Sequence, residues 1–223
     1  MKWGNLIGIY YQPAKVFEDL KPDIKWRWLA PLLIAVLAGV AAYFIIRPVM
    51  IPEIMAKISQ NPDIPPEALE RIQSRVGSPL GVINVVIFTP VVALLIGLVF
   101  WGIFSMLGGR TTFGHMFTAT AWAMMVNLPS SLVRVPLILA QETIKVQTSL
   151  ALVLPPEMEE SFIFRLLAQV DIFTLWMLFV MATGYSVFTG LDRKKSYTAA
   201  YGAWGLWALV AAALGGMFKF GGM

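Results

Sequence analysis

Five long apolar stretches limit what this chain can fold into. The first, WLAPLLIAVLAGVAAYFII at Trp28–Ile46, carries no charge. At about 1.5 Å per helical residue it matches a hydrocarbon core of roughly 30 Å. The others are about Leu80–Leu107 with Pro90 inside, Phe113 to about Leu139 with Pro129 and Pro136, about Phe162–Gly190, and Tyr197–Phe218. Backbone polar groups find no partner in lipid, so an open sheet does not span it, and the alternation of a membrane barrel is missing. The segments are therefore predicted to be helices, and the fold an all-α polytopic transmembrane bundle of five spans with the third broken at proline. The second stretch exceeds one crossing, which predicts tilt or a kink. Composition agrees: only 13% of residues are charged, about half the share of a soluble domain.

The first stretch is too long for the core of a cleaved signal peptide, follows an arm containing Glu18, Asp19 and Asp23, and is succeeded by more spans. It reads as a retained helix. Orientation comes from Lys and Arg in the short connections. The arm holds Lys2, Lys15, Lys21, Lys25 and Arg27; the second-to-third turn holds Arg110; the fourth-to-fifth turn, LDRKKS, packs Arg193, Lys194 and Lys195 together. The two longer loops, about residues 47–79 and 140–161, hold most of the acids, including Glu53, Asp63, Glu67, Glu70, Glu142, Glu157, Glu159 and Glu160. The positive-inside rule places the N-terminus in the cytoplasm, the loops outside and, after five crossings, the C-terminus outside. Arg47, Lys57, Arg71 and Arg75 oppose this, spread over the longer loop.

Two units are expected: a cytoplasmic amphipathic arm at 1–27 and a five-span domain at 28–223. In the arm, Pro13 suits a first helical position, and Val16, Phe17 and Leu20 share one face. Such a helix lies on the inner membrane surface or packs on the cytoplasmic ends of the bundle, since both bury the same stripe. In the first outer loop, PPEALERIQSRV predicts a short helix, and Ile51, Ile54, Met55 and Ile58 suggest another on the membrane or the bundle.

No catalytic signature appears: no G-x-S-x-G, H-E-x-x-H, Walker loop or G-x-G-x-x-G. Cysteine is absent and His115 is the single histidine, so no metal site or cofactor is expected. His115 has no visible ligand or nucleophile partner and reads as structural or interfacial. The net charge of +4 flanks apolar spans instead of forming a stripe, which argues against nucleic acid. Gly108–Gly109 reads as a helix-ending turn. Small residues at helix spacing (Ala35 and Gly39; Ala199 and Ala203; Ala212 and Gly216) allow close helix contact or self-association. Trp122, Trp176, Trp204 and Trp207 lie deeper than the interfacial aromatics and read as packing.

The informative residues are polar ones inside the apolar stretches: Asn84, Asn127, Arg134, Gln169 and Asp171, all toward the outer half or rim. Asp171 is the deepest ionisable group, and an isolated charge at a helix centre costs about 2.5–3.5 kcal/mol. It needs a partner, and Arg134, between the breaks at Pro129 and Pro136, is expected to hold it. The set is either a polar cavity open to the outside or an interhelical network that staples the bundle. Carbonyls freed near Met125 and Leu132 by the prolines are expected to find donors in Ser130, Ser131 and Asn127.

The order of parts resembles the YIP family, membrane proteins named for interaction with Ypt/Rab-type GTPases. The resemblance rests on the arm QPAKVFEDLKPDIKWRWLAPLLI, the turn and helix GGRTTFGHMFTATAWAMMVNLP, the run YSVFTGLDRKKSYTAAYG and the small-residue fifth span. It implies five spans, a cytoplasmic N-terminus and a non-enzymatic role, which in eukaryotic relatives is vesicle traffic with GTPase partners. The chain lacks their long N-terminal tail and looks closer to a prokaryotic branch. The expected function is a scaffold in the cell (inner) membrane, acting through the bilayer, protein partners or self-association. The alternative is a small-solute or ion transporter using the cavity near Asp171.

Overall fold

A computed structural model describes residues 2–60, 64–65, 67, 71–72 and 81–215. In chain order the helices are α1 (Gly4–Gly8), α2 (Pro13–Leu20), α3 (Leu29–Ser59), α4 (Val82–Met106), α5 (Phe113–Ala123), α6 (Asn127–Gln141), α7 (Phe162–Gln169), α8 (Ile172–Thr189) and α9 (Arg193–Leu214). A 3-10 turn at Met124–Val126 joins α5 to α6, and 3-10 turns at Leu150–Val153 and Pro156–Met158 precede α7. Five stretches are long and apolar enough to cross a membrane: α3, α4, α5–α6 taken together, α8 and α9. The fold is an all-α polytopic bundle. The spans alternate in direction, so the short basic turns gather at one end and the two long connections at the other.

The boundaries correct several expectations. α3 does not stop at Ile46; it continues through Pro48 and Pro52 to Ser59. Ile51, Ile54, Met55 and Ile58 therefore extend the first span instead of forming a separate loop helix. At about 1.5 Å per residue its 31 residues reach roughly 46 Å, beyond a hydrocarbon core. The protruding end is held from outside: the Glu53 carboxylate accepts from Thr143 Oγ1 at 3.1 Å and from the Ile144 amide at 2.7 Å. PPEALERIQSRV and the acids Asp63 and Glu70 fall largely or wholly outside the described residues.

The fourth apolar stretch is two helices, α7 and α8, parted at Val170–Asp171, and only α8 has span length. Arg193, Lys194 and Lys195 form the first helical turn of α9 and not a loop. Asp192 caps that turn, its carboxylate accepting from the Lys194 amide at 2.9 Å and the Lys195 amide at 3.4 Å. The interruption of the third span lies at Met124–Val126, one turn before Pro129, which falls in the first turn of α6.

α8 is the central span. Of its apolar window 56% is buried, against 11% for α4 and 17% for α9, whose other faces are apolar and outward. The largest buried side chains around it include Trp122, Tyr185, Phe104 and Phe17. The Tyr185 hydroxyl shares a hydrogen bond with Thr120 Oγ1 at 2.8 Å, so its polar atom is satisfied inside the bundle. Gly184 permits the tightest crossing: a Cβ there would lie 2.8 Å from both Ala119 Cβ and Phe17 Cζ. Ala35 is buried, and a Cβ on Gly39 would lie 2.9 Å from Val85, so that small-residue face meets α4. Trp122 is fully buried and donates from Nε1 to the Arg27 carbonyl at 3.0 Å. Trp207, by contrast, is 64% exposed on the outward face of α9, so it does not pack inside as expected.

The arm is part of this core. Val16, Phe17 and Leu20 are buried with Ile9, and Phe17 meets Phe188 edge-on at a 5.5 Å centroid distance. These three residues face the bundle interior and not a membrane surface. Phe17 fits because Gly184 leaves space for its ring.

Candidate functional site

Two of the polar residues expected inside the spans, Arg134 and Asp171, meet at the long-loop end. Asp171 is the N-cap of α8: its backbone is extended, and Oδ1 accepts from the amides of Phe173 at 2.9 Å and Thr174 at 3.3 Å. Oδ2 accepts from Arg134 Nη2 at 2.9 Å and from Thr148 Oγ1. Arg134 Nε donates to the same Thr148 hydroxyl at 2.9 Å. Arginine, threonine and aspartate thus close a three-membered ring linking α6, the loop before α7, and α8.

Backbone pairing fixes the loop that carries Thr148. Ser149 and Asp171 form an isolated antiparallel bridge, and the Leu150 amide donates to the Val170 carbonyl at 2.9 Å. The Ser149 hydroxyl caps the following 3-10 turn through the Ala151 amide. Asp171 is 3% exposed, whereas the Arg134 side chain is 43% exposed. Burial alone raises the Asp171 carboxyl, but the hydrogen bonds from Thr148 and Arg134, the Arg134 charge and the Phe173 amide outweigh it and hold its pKa below the ordinary value. The positive end of the α8 dipole acts in the same direction. An ionised carboxylate offers about four lone-pair sites, and four donors surround this one.

The other polar residues of the expected set do not join the ring. Asn84 and Asn127 are exposed and their side chains make no hydrogen bond among the described residues. Gln169 is half-buried at the last position of α7, and only its backbone carbonyl is used, by the Asp171 amide at 3.1 Å. Ser130, Ser131 and the Asn127 side chain do not serve the carbonyl near Pro129. The Met125 carbonyl instead accepts from the Asn127 amide in the tightened turn and from Tyr10 Oη of the arm at 2.9 Å.

Two residues at this end carried no expectation. Arg165 donates from Nε to the Ala212 carbonyl at 2.9 Å and from Nη1 to the Glu160 carbonyl at 2.6 Å, so it joins α7 to the last turn of α9. That is a usual place for a cation at a helix C-terminus. Thr148 is the other, and a lone threonine in a polar loop gives no sequence signal. The capping role of Asp171 did have one, an Asp directly before an apolar run.

At the basic end, Lys195 Nζ donates to the Leu107 carbonyl at 2.8 Å and Lys21 Nζ to the Val187 carbonyl at 2.9 Å. Each lysine meets the C-terminal carbonyls of a span, where positive charge is favourable. Arg193 and Lys194 are exposed beside them. A cavity of about 380 Å³ is lined there by Leu107, Asp192, Lys194, Lys195, Thr198 and Ala199. His115 Nδ1 pairs with Thr112 Oγ1 at 2.8 Å and its ring lies 5.1 Å from that of Phe188, a packed histidine at the start of α5. Among the described residues no group of three or more His, Asp or Glu side chains is placed to hold a metal.

Five apolar spans around a packed aromatic core, with charge at both ends, define a multi-pass integral membrane protein. The Yip1 domain family matches residues 7–217. The chain belongs to that family, and the match includes most of the arm. No curated protein and no solved structure matches it.

Proposed function

We propose that this Yip1-family protein is a non-catalytic organiser of the cell membrane, with the arm and the basic end in the cytoplasm and the long connections outside. One observation carries the reading. The carboxylate that a transporter would use for a proton or cation is fully engaged: Asp171 has four donors for about four lone-pair sites. A group saturated in this way fastens helices together. An exchange site needs a vacancy, and intramembrane carboxylates that move ions face water or a cavity. The domain reading supported by the shared core joins the arm at 1–27 to the spans, so the organiser acts as one body. Its partners are the bilayer and proteins or second copies that meet the basic end or the outward apolar faces of the spans.

The alternative, transport through a polar cavity near Asp171, is separated by a flux measurement. The purified protein in sealed vesicles is expected to leave imposed proton, sodium, potassium and chloride gradients unchanged. Asp171→Asn is expected to lower the melting temperature and leave the leak as it was. A flux that disappears in Asp171→Asn at unchanged melting temperature would move the assignment to the transporter.

A further inference from the structure

The arm penetrates far deeper than its charge pattern suggests. Its neck is at the basic end: Lys21 reaches the Val187 carbonyl, two residues before α8 ends, and Lys2 Nζ pairs with Asp19 Oδ1 at 3.1 Å. Its tip is elsewhere. Tyr10 Oη donates to the carbonyl of Met125, 12 residues beyond Phe113 and so roughly 18 Å along the span at about 1.5 Å per residue. The Tyr10 ring also lies 5.7 Å, edge-on, from that of Trp176. Trp176 is 13 residues before Thr189, or roughly 20 Å from the basic end of α8. Half of a hydrocarbon core is about 15 Å. Two contacts on two different spans therefore put the tip at the depth of the bilayer midplane.

Between neck and tip the chain descends through α1 and the helical turns that follow it, then returns through α2. Backbone bonds from Ile9 to Asn5 and from Tyr11 to Gly8 continue the helical winding past α1. Asn5, Gly8 and Ile9 face the bundle and are buried. The opposite face carries Trp3, Ile7 and Tyr11, spaced by four residues and 79%, 67% and 67% exposed. An apolar stripe on an element at that depth, turned away from protein, has acyl chains as its surroundings. The charges fit the same placement. Lys2, Glu18, Asp19 and Lys21 sit at the neck, Lys15 is one turn deeper with an apolar stem long enough to snorkel, and Gln12 at the tip is uncharged.

We propose that α1 and α2 form a re-entrant helical hairpin embedded in the leaflet on the basic side, with Ile7 and Tyr11 in contact with its acyl chains and Trp3 at the headgroup level beside the neck. The occupant of the stripe is lipid, not water and not a second copy. The hairpin is fastened at its tip by a carbonyl that Pro129 leaves without its α-helical donor. The proposal rests on the membrane placement of the spans and not on the organiser reading, so flux results leave it untouched.

The chain contains no cysteine, so single labels can be placed without background. Trp3→Cys, Ile7→Cys, Tyr11→Cys and Lys21→Cys, each carrying a nitroxide, would be compared in phosphatidylcholine–phosphatidylglycerol vesicles by collision with oxygen and with a water-soluble nickel chelate. All four positions are exposed or at the neck, and unchanged melting against the cysteine-free parent confirms folding. The expected result is an oxygen-to-nickel collision ratio that rises severalfold from positions 3 and 21 to position 7 and is highest at position 11. Free collision with nickel at positions 7 and 11, as at Lys21, overturns the proposal in favour of an arm in water or on the surface. Weak collision with both reagents overturns it in favour of protein contact.

Discussion

An aspartate at the end of a membrane span is tolerable only while its charge is met, and Asp171 meets it with a guanidinium, a hydroxyl and two amides. Asp171→Asn keeps an N-cap but removes the charge, so it reads the ion pair more than the cap. Asp171→Asn and Arg134→Gln are each expected to cost about 1–3 kcal/mol, with a coupling of about 1 kcal/mol or more in the double variant. Thermal unfolding in detergent measures this, and simple additivity would contradict a shared ring. The pH dependence follows from the depressed carboxyl. A lowered folded-state pKa gives stability that is complete above the unfolded value of about 3.9 and disappears as pH falls through the folded value. Asp171's contribution to stability should therefore be the same in neutral and mildly acidic solution, with its loss confined to strong acid and absent in Asp171→Asn. Arg134 and Asp171 were legible because charges in apolar segments require partners. Asn84, Asn127 and Gln169 looked equivalent in sequence, but Asn84 and Gln169 lie near helix ends at the rim, where an amide can face solvent at little cost, and position along a helix does not say which face a residue occupies.

At the scale of elements, apolar runs located the spans but not their ends. α3 outran its expected end because Arg47–Pro48 resembles a stop, while an extended helix can keep its later turns when α6 and the connection after it lie alongside. The fourth run hid a break because Gln169, Val170 and Asp171 interrupt hydropathy only briefly, although the capping aspartate marked it. The arm showed its buried stripe in sequence but not its destination. The stripe of Val16, Phe17 and Leu20 suits lipid or protein equally, and the space opened by Gly184 on a distant span decides between them. Phe17→Ala removes a ring that fills that space and is expected to cost about 3–5 kcal/mol. Limited trypsin digestion should then cut near Lys21 well below the temperature at which the parent is cut. Unchanged stability with an uncut arm would mean that the hairpin is held from its tip alone.

For the whole molecule, five crossings of one chain put successive connections on opposite sides, and the charge asymmetry supports the proposed orientation. Lys21, Arg110, Arg193, Lys194 and Lys195 lie at one end, while at the other Glu53, near the end of α3, binds the third-to-fourth loop and Lys145 pairs with Glu159 at 3.1 Å. The bundle is thus fastened at its loop end by the Asp171 ring and Arg165, and at its basic end by the arm and two lysines on helix carbonyls. The frame of five spans is tested most directly by one labelling measurement. Gln60 and Lys194 are both exposed, at opposite ends, in a chain without cysteine. With a membrane-impermeant maleimide, Gln60→Cys is expected to react in intact cells and Lys194→Cys only after permeabilisation. Reaction of both from the same side, or of Lys194→Cys alone from outside, would contradict the account.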